Sequence, residues 1–200
     1  MFWVFSGLAC NLTEHSHVEN MDWIHPRALR TLIISLALCL SGAPLAHALP
    51  PVPLPFSHPE LVGEGRLQVL FWDVYDARLY AEAGHYRVNQ PFALSMTYLR
   101  NVSASRIVES SIDALGSQGV DDGTLAEWRD SLESIFADVS SGDTVTGVYQ
   151  DNGTATLYHN ERVLGYLSDP NLSRGFFEIW LGEATPEPAL RRQLLGVDES

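Results

Sequence analysis

There is no lysine anywhere in this chain, and the twelve basic residues, all arginine, face 25 acidic ones for a formal net charge of −13 over 200 residues. A nucleic-acid binder needs a cationic surface to displace counterions, so no nucleic-acid partner is expected. Cysteine is nearly missing as well. Cys10 and Cys39 are too few for a disulfide framework or a cysteine-rich metal site. Phosphate loops are absent, and Gly63-Glu64-Gly65 lacks the third glycine of a dinucleotide fingerprint and runs into strand rather than helix. No Gly-x-Ser-x-Gly elbow occurs, so no serine nucleophile is expected, and no cofactor. Extended apolar runs are short: Leu32–Leu40 covers nine residues, where a membrane span needs about 18–20.

What is present begins with an address. Residues 21–48 read as a secretory signal, with Met21 as a start and Arg27 and Arg30 as its basic region. Leu32–Leu40 forms the apolar region, Ser41-Gly42-Ala43-Pro44 breaks it, and Ala46-His47-Ala48 gives the small–x–small pattern for cleavage after Ala48. A periplasmic or secreted protein is expected, with residues 1–20 an overextended start or dispensable tail and no membrane span after cleavage. Removing residues 1–48 takes both cysteines, leaves 10 basic against 22 acidic residues, and makes the mature chain indifferent to an oxidising compartment. Residues 49–60, with Pro50, Pro51, Pro53 and Pro55, read as an extended linker. Residues 61–196 remain as one domain.

Within it, Gly65 to Ala81 reads as half-buried strand, with Val74, Asp76 and Arg78 alternating against Tyr75, Ala77 and Leu79. The Arg78 and Asp76 side is expected to face solvent. Phe92–Leu99 reads as another strand. Ser103 caps a helix carrying Ile107, Val108, Ile112 and Leu115, and Asp121-Asp122 opens a second with Leu125, Trp128, Leu132 and Ile135. Residues 144–149 and 154–159 flank Asp151-Asn152-Gly153, a hairpin signal, and 162–167 follows as a third short strand. Two helices close the chain, from about Ser173 to Leu181 and from Thr185-Pro186-Glu187 to Gly196. Strands and helices in separate blocks predict an α+β fold, an antiparallel sheet packed on one face by a helical layer.

Chemistry-bearing residues are sparse. His58, His85 and His159 lie far apart and do not suggest a metal site, although a single axial side chain such as His159 or Tyr158 is all that haem iron would need. The Asp121-Asp122-Gly123 turn lacks the alternating ligands of a calcium loop and reads as a helix cap. Phe71, Trp72, Trp128, Phe176, Phe177 and Trp180 are expected chiefly in the core, some of them lining an apolar cleft.

Gly63-Glu64-Gly65, then Val74-Tyr75-Asp76-Ala77-Arg78-Leu79-Tyr80, then Phe177-Glu178-Ile179-Trp180-Leu181-Gly182, resemble the secreted bacterial chalcone-isomerase-like family from about Leu61 to Gly196. The resemblance implies a chalcone isomerase fold, an open-faced sandwich with a ligand cleft between sheet and helices. Plant enzymes of this fold close a ring using an Arg and a Thr from two strands, a Tyr and an Asn from a helix, and a later hydroxyl. Their positions fall here on Leu67, Tyr75, Ser103, Ser110 and Ile179, and none carries the plant residue. Arg66 is one place from the required Arg, and a one-residue offset in a strand points to the opposite face. With no cation to hold a phenolate, the largest stabilising contribution to catalysis is gone. The expectation is therefore a non-catalytic binder of a small apolar or amphipathic molecule, in a cleft lined by those five positions and without positive charge. The resemblance implies fatty acids as a ligand class, since plant relatives bind them. Two alternatives stand beside it: an isomerase or lyase using Tyr75 with Ser103 or Ser110, and an accessory interaction module.

Overall fold

A computed structural model describes residues 48–197; the segments read as tail and signal lie outside the described residues except for Ala48. The sheet has six strands in sequential order, β1 Pro59–Val69, β2 Trp72–Glu82, β3 Phe92–Tyr98, β4 Thr144–Tyr149, β5 Ala155–His159 and β6 Arg162–Leu167, with every neighbour antiparallel. Helices α1 (Ala104–Ser117) and α2 (Asp122–Ile135) sit between β3 and β4, and α3 (Pro170–Leu181) and α4 (Pro188–Leu194) follow β6. This is the α+β arrangement that the sequence predicts. No helix among the described residues is long and apolar enough to cross a membrane.

The local chemistry fixes most boundaries. Ser103 Oγ accepts from the Arg106 amide at the start of α1. Asp121 accepts from the Gly123 and Thr124 amides at the start of α2, so the acidic turn is a cap. Asp169 caps α3, with Pro170 in its first turn. Helix α4 begins at Pro188 rather than near Pro186, because Thr185 turns back to donate its hydroxyl to the Ile179 carbonyl.

Two expectations are corrected. The long strand expected over Gly65–Ala81 is two strands, turning at Leu70-Phe71. The turn contains none of the Gly, Asn or Pro residues that mark such points, so the pattern ran through it unseen. Phe71 and Trp72, expected in the core, sit at that turn and are 96% and 61% exposed.

The sheet's two faces differ, as the period-two alternation of strand side chains requires. The inner face carries Tyr75, Ala77 and Leu79 of β2, Leu94 and Met96 of β3, and Val145 and Leu157 beyond, all buried with the apolar stripes of the helices. The outer face is polar: Arg66 pairs with Asp76 and Asp73, Arg78 pairs with Glu64, and the Ser95 and Thr146 hydroxyls bond to each other. Arg78 and Asp76 therefore lie on the side that alternation assigned them. The proline-rich segment is extended but not a free linker. Val52 is 8% exposed and packs with Tyr80, Ala93 and Val148 of this outer face, and Leu54 and Phe56 pack against the same cluster. The apolar side chains between its prolines cover the patch that the polar rows leave bare.

Gly63 and Gly65 have a packing role. They point the same way from β1, and α4 lies against them. A Cβ on Gly63 would meet the backbone oxygens of Gln193 and Leu194, whereas one on Gly65 would meet the Gln193 side chain and a Leu190 methyl. Backbone cannot swing aside as side chains do. Gly63→Ala is expected to unseat α4 at about 3 kcal/mol or more, and Gly65→Ala to cost nearer 1 kcal/mol, the two ends of the overpacking range. Urea unfolding midpoints check the order.

Candidate functional site

The five positions assigned to a cleft do not form one. Leu67 and Tyr75 are cross-strand partners in β1 and β2, and Leu67 packs against the core. Tyr75 is 7% exposed; its ring meets Tyr98 edge-on at 5.6 Å, and its hydroxyl accepts from the Trp180 indole at 2.7 Å. Ile179, beside Trp180 on α3, is buried too. Ser103 and Ser110 are exposed, and Ser103 is occupied as the α1 cap with Ser105 as its other partner. The structure thus brings Leu67 and Tyr75 into the core, buries Ile179 with them, and leaves the two serines at the surface. Burial pushes the Tyr75 phenol far above its ordinary range, only partly offset by the bond from Trp180, and lifts Tyr98 to about 12. Both stay neutral at physiological pH. Arg66 faces outward, as the one-residue offset requires.

The other singled-out groups serve the frame. His58 pairs with Glu82 at the start of β1. His159 Nε2 lies 3.1 Å from Asp143 without the alignment of a hydrogen bond. Asp143 is held at about 2 by the Ser140 amide first, then by Asn160 and His159. That carboxylate pins the turn entering β4.

An open cavity of about 280 Å³ lies elsewhere, at the bottom of the usual ligand-pocket range of about 300–1,000 Å³. Its walls are the β2–β3 loop (Tyr86, Val88, Asn89), the first residue of β3 and the last of β4 (Phe92, Tyr149), α3 with Gly182 and Glu183 beyond it, and Arg191 of α4. Phe92 pairs with Ala81, six residues along β2 from Tyr75, which puts this site about 20 Å from the expected one.

Its floor is aromatic. Phe92 and Tyr149 stack at 5.1 Å, and Phe177 stands edge-on to both at 4.9 and 5.8 Å. Tyr86 closes over Phe92 at 5.3 Å. Phe177 reaches the sheet because Gly147 beneath it has no side chain; a Cβ there would stand 2.8 Å from the ring. Asn89 takes a positive φ of 64°, a conformation its short side chain tolerates, and helps arch the loop over the floor. The rim is charged, with Arg174, Arg191, Glu178 and Glu183. The Arg191 Nε–H donates to the Leu181 carbonyl at 2.9 Å, which fixes its guanidinium at the C-terminal end of α3. Arg174 is exposed and forms no ion pair among the described residues. Burial raises the Tyr86 phenol, with the Glu178 carboxylate adding to that and Arg191 opposing it.

Unlike the uncharged cleft expected at the five positions, this cavity is bordered by two guanidinium groups, two carboxylates and two tyrosines. Of its residues, sequence reasoning had singled out only Phe177 as a cleft candidate. A signal was available in α3, whose only charged residues are Arg174 and Glu178, four apart and so on one face of an otherwise apolar helix.

The profile of the chalcone isomerase-like family matches residues 57–196. Among solved structures, the crystal structure of a fatty-acid binding protein of Arabidopsis thaliana superposes with a TM-score of 0.57 at 13% identity, covering 76% of this chain and 94% of that one. That likeness is one of fold. No curated protein matches the chain.

If Tyr75 is a structural partner of Trp180, Tyr75→Phe strands a buried indole N–H and lowers stability by about 1–3 kcal/mol. Denaturant unfolding checks the loss. A hydroxyl serving only as a catalytic group would leave stability unchanged.

Proposed function

Because this chain belongs to the chalcone isomerase-like family, we propose that it uses the family frame to bind, without catalysis, a small amphipathic molecule with an anionic head, a fatty-acid-like ligand. The observation that carries this reading is the cavity itself, an aromatic floor with Arg174 and Arg191 at its rim. Apolar walls with a few convergent polar groups are how small-molecule sites are built. A carboxylate head would take charge-assisted hydrogen bonds from a guanidinium, about twice as strong as neutral ones. Glu178 and Glu183 on the same rim repel such a head and confine it to the arginine side. The ligand class gains support from the Arabidopsis neighbour, whose name records fatty-acid binding. The volume of about 280 Å³ favours a short or medium chain over a long one.

The non-catalytic part rests on chemistry. The buried Tyr75 phenol stays neutral and is engaged by Trp180, and the Ser103 hydroxyl is taken up by Ser105 and the Arg106 amide rather than by Tyr75. A periplasmic or secreted location rests on the signal-like residues 21–48 and the absence of cysteine after them.

Calorimetric titration separates head from tail. Decanoate is expected to bind more tightly than decanol, and Arg174→Gln to weaken decanoate by about tenfold while leaving decanol unchanged. Failure of both molecules to bind, or an identical response of both to the substitution, would refute the reading.

A further inference from the structure

The β1–β2 hairpin ends in Val69-Leu70-Phe71-Trp72, exposed by 50, 87, 96 and 61%. Four consecutive large apolar residues at a turn do nothing for the core. The backbone makes their presence harder to explain on folding grounds. Leu70 has a φ of 57° and is the one of the two central residues with positive φ, the sign pattern of a type II′ turn, whose first position favours Gly. The same protein solves the same problem differently at its β5–β6 turn, where Asn160 takes a φ of 56° beside Glu161. Strain retained at an exposed site points to a function for the side chain held there.

The residues below the tip say what the finger meets. The Arg100 guanidinium lies 4.9 Å over the Trp72 ring. One step further down, Gln68 bonds to Asp73, and Arg66 pairs with Asp73 and Asp76. From the end inward the order is aliphatic and phenyl, then indole with a stacked arginine, then a charged collar. A bilayer presents the matching order, hydrocarbon first, then the headgroup level where Trp and Arg are favoured, then water. A protein partner would need a socket shaped to a protruding end, whereas lipid closes around it. Beneath the tip the charges balance, Arg66 and the Trp72-stacked Arg100 against Asp73 and Asp76, which suits a zwitterionic surface; the chain's net charge of −13 opposes an anionic one.

We propose that this hairpin tip is a membrane finger that seats Leu70 and Phe71 below the headgroups of a zwitterionic bilayer. The inference stands apart from the cavity and does not depend on its ligand. Protein recovered from an exporting host is expected to co-sediment with phosphatidylcholine vesicles, and more weakly as phosphatidylglycerol is added. The double variant Leu70→Gly/Phe71→Ser is expected to lose about tenfold or more in vesicle affinity, with a thermal midpoint unchanged or raised because glycine suits the turn. Equal sedimentation of variant and parent, or none by the parent, would overturn the proposal. So would a parental dimer in sedimentation velocity that the substitutions dissolve, because the finger would then belong to a second copy.

Discussion

A buried hydrogen bond, from the Trp180 indole to the Tyr75 hydroxyl at 2.7 Å, ties α3 down on the sheet, and the placement of everything functional follows from it. Helix α3 is apolar around most of its circumference, so it gains by pressing along the sheet rather than by tilting away. At one end Trp180 meets Tyr75, and Leu67, Tyr75 and Ile179, the buried members of the five expected cleft positions, pack in or against the interior. Further along, Phe177 lies on Gly147 and against Phe92 and Tyr149. The β2–β3 loop arches over these rings, and the open cavity lies between them. Lifting the helix at the Trp180 end would leave that indole N–H unpaired.

The two sides of the sheet divide the remaining work. Inside, an unbroken apolar layer gives stability. Outside, lateral rows of paired charges and hydroxyls let the sheet face water, and the proline-rich strap covers the one apolar patch among them. Helix α4 packs on the face of the edge strand β1, at a distance that only glycine at position 63 permits. The Gly-x-Gly that carries the family resemblance is thus a packing device and makes no claim on a ligand.

Much of the fold was legible because its signals are local. Ser103 and Asp121 announce helix starts through short side chains that accept from the next amides, and Asn152-Gly153 announces a hairpin; α3 begins at Pro170, three residues before the Ser173 that its apolar pattern suggests. The Leu70-Phe71 turn was illegible for the opposite reason: its residues are those of a strand or a core. The site was less legible than the fold. Strand alternation puts Tyr75 on the face opposite Asp76 and Arg78, but no linear pattern reveals that Trp180 reaches it or that its surroundings are filled. Arg174 and Arg191 belong to different helices, and their convergence on Tyr86 and Phe92 exists only once the loop and both helices have packed. The missing plant Arg predicts a greasy pocket; the cavity that tertiary structure forms has a rim of mixed charge, Arg174 and Arg191 beside Glu178 and Glu183.

Where the ligand sits is the central question, and nuclear magnetic resonance of the isotope-labelled protein titrated with decanoate addresses it directly. Amide shifts are expected to concentrate at Tyr86, Asn89, Arg174, Gly182 and Arg191, with Leu67, Tyr75 and Ile179 nearly still. Shifts centred instead on Leu67, Tyr75 and Ile179 would mean that the core opens to admit ligand there, and would contradict a site beneath the β2–β3 loop.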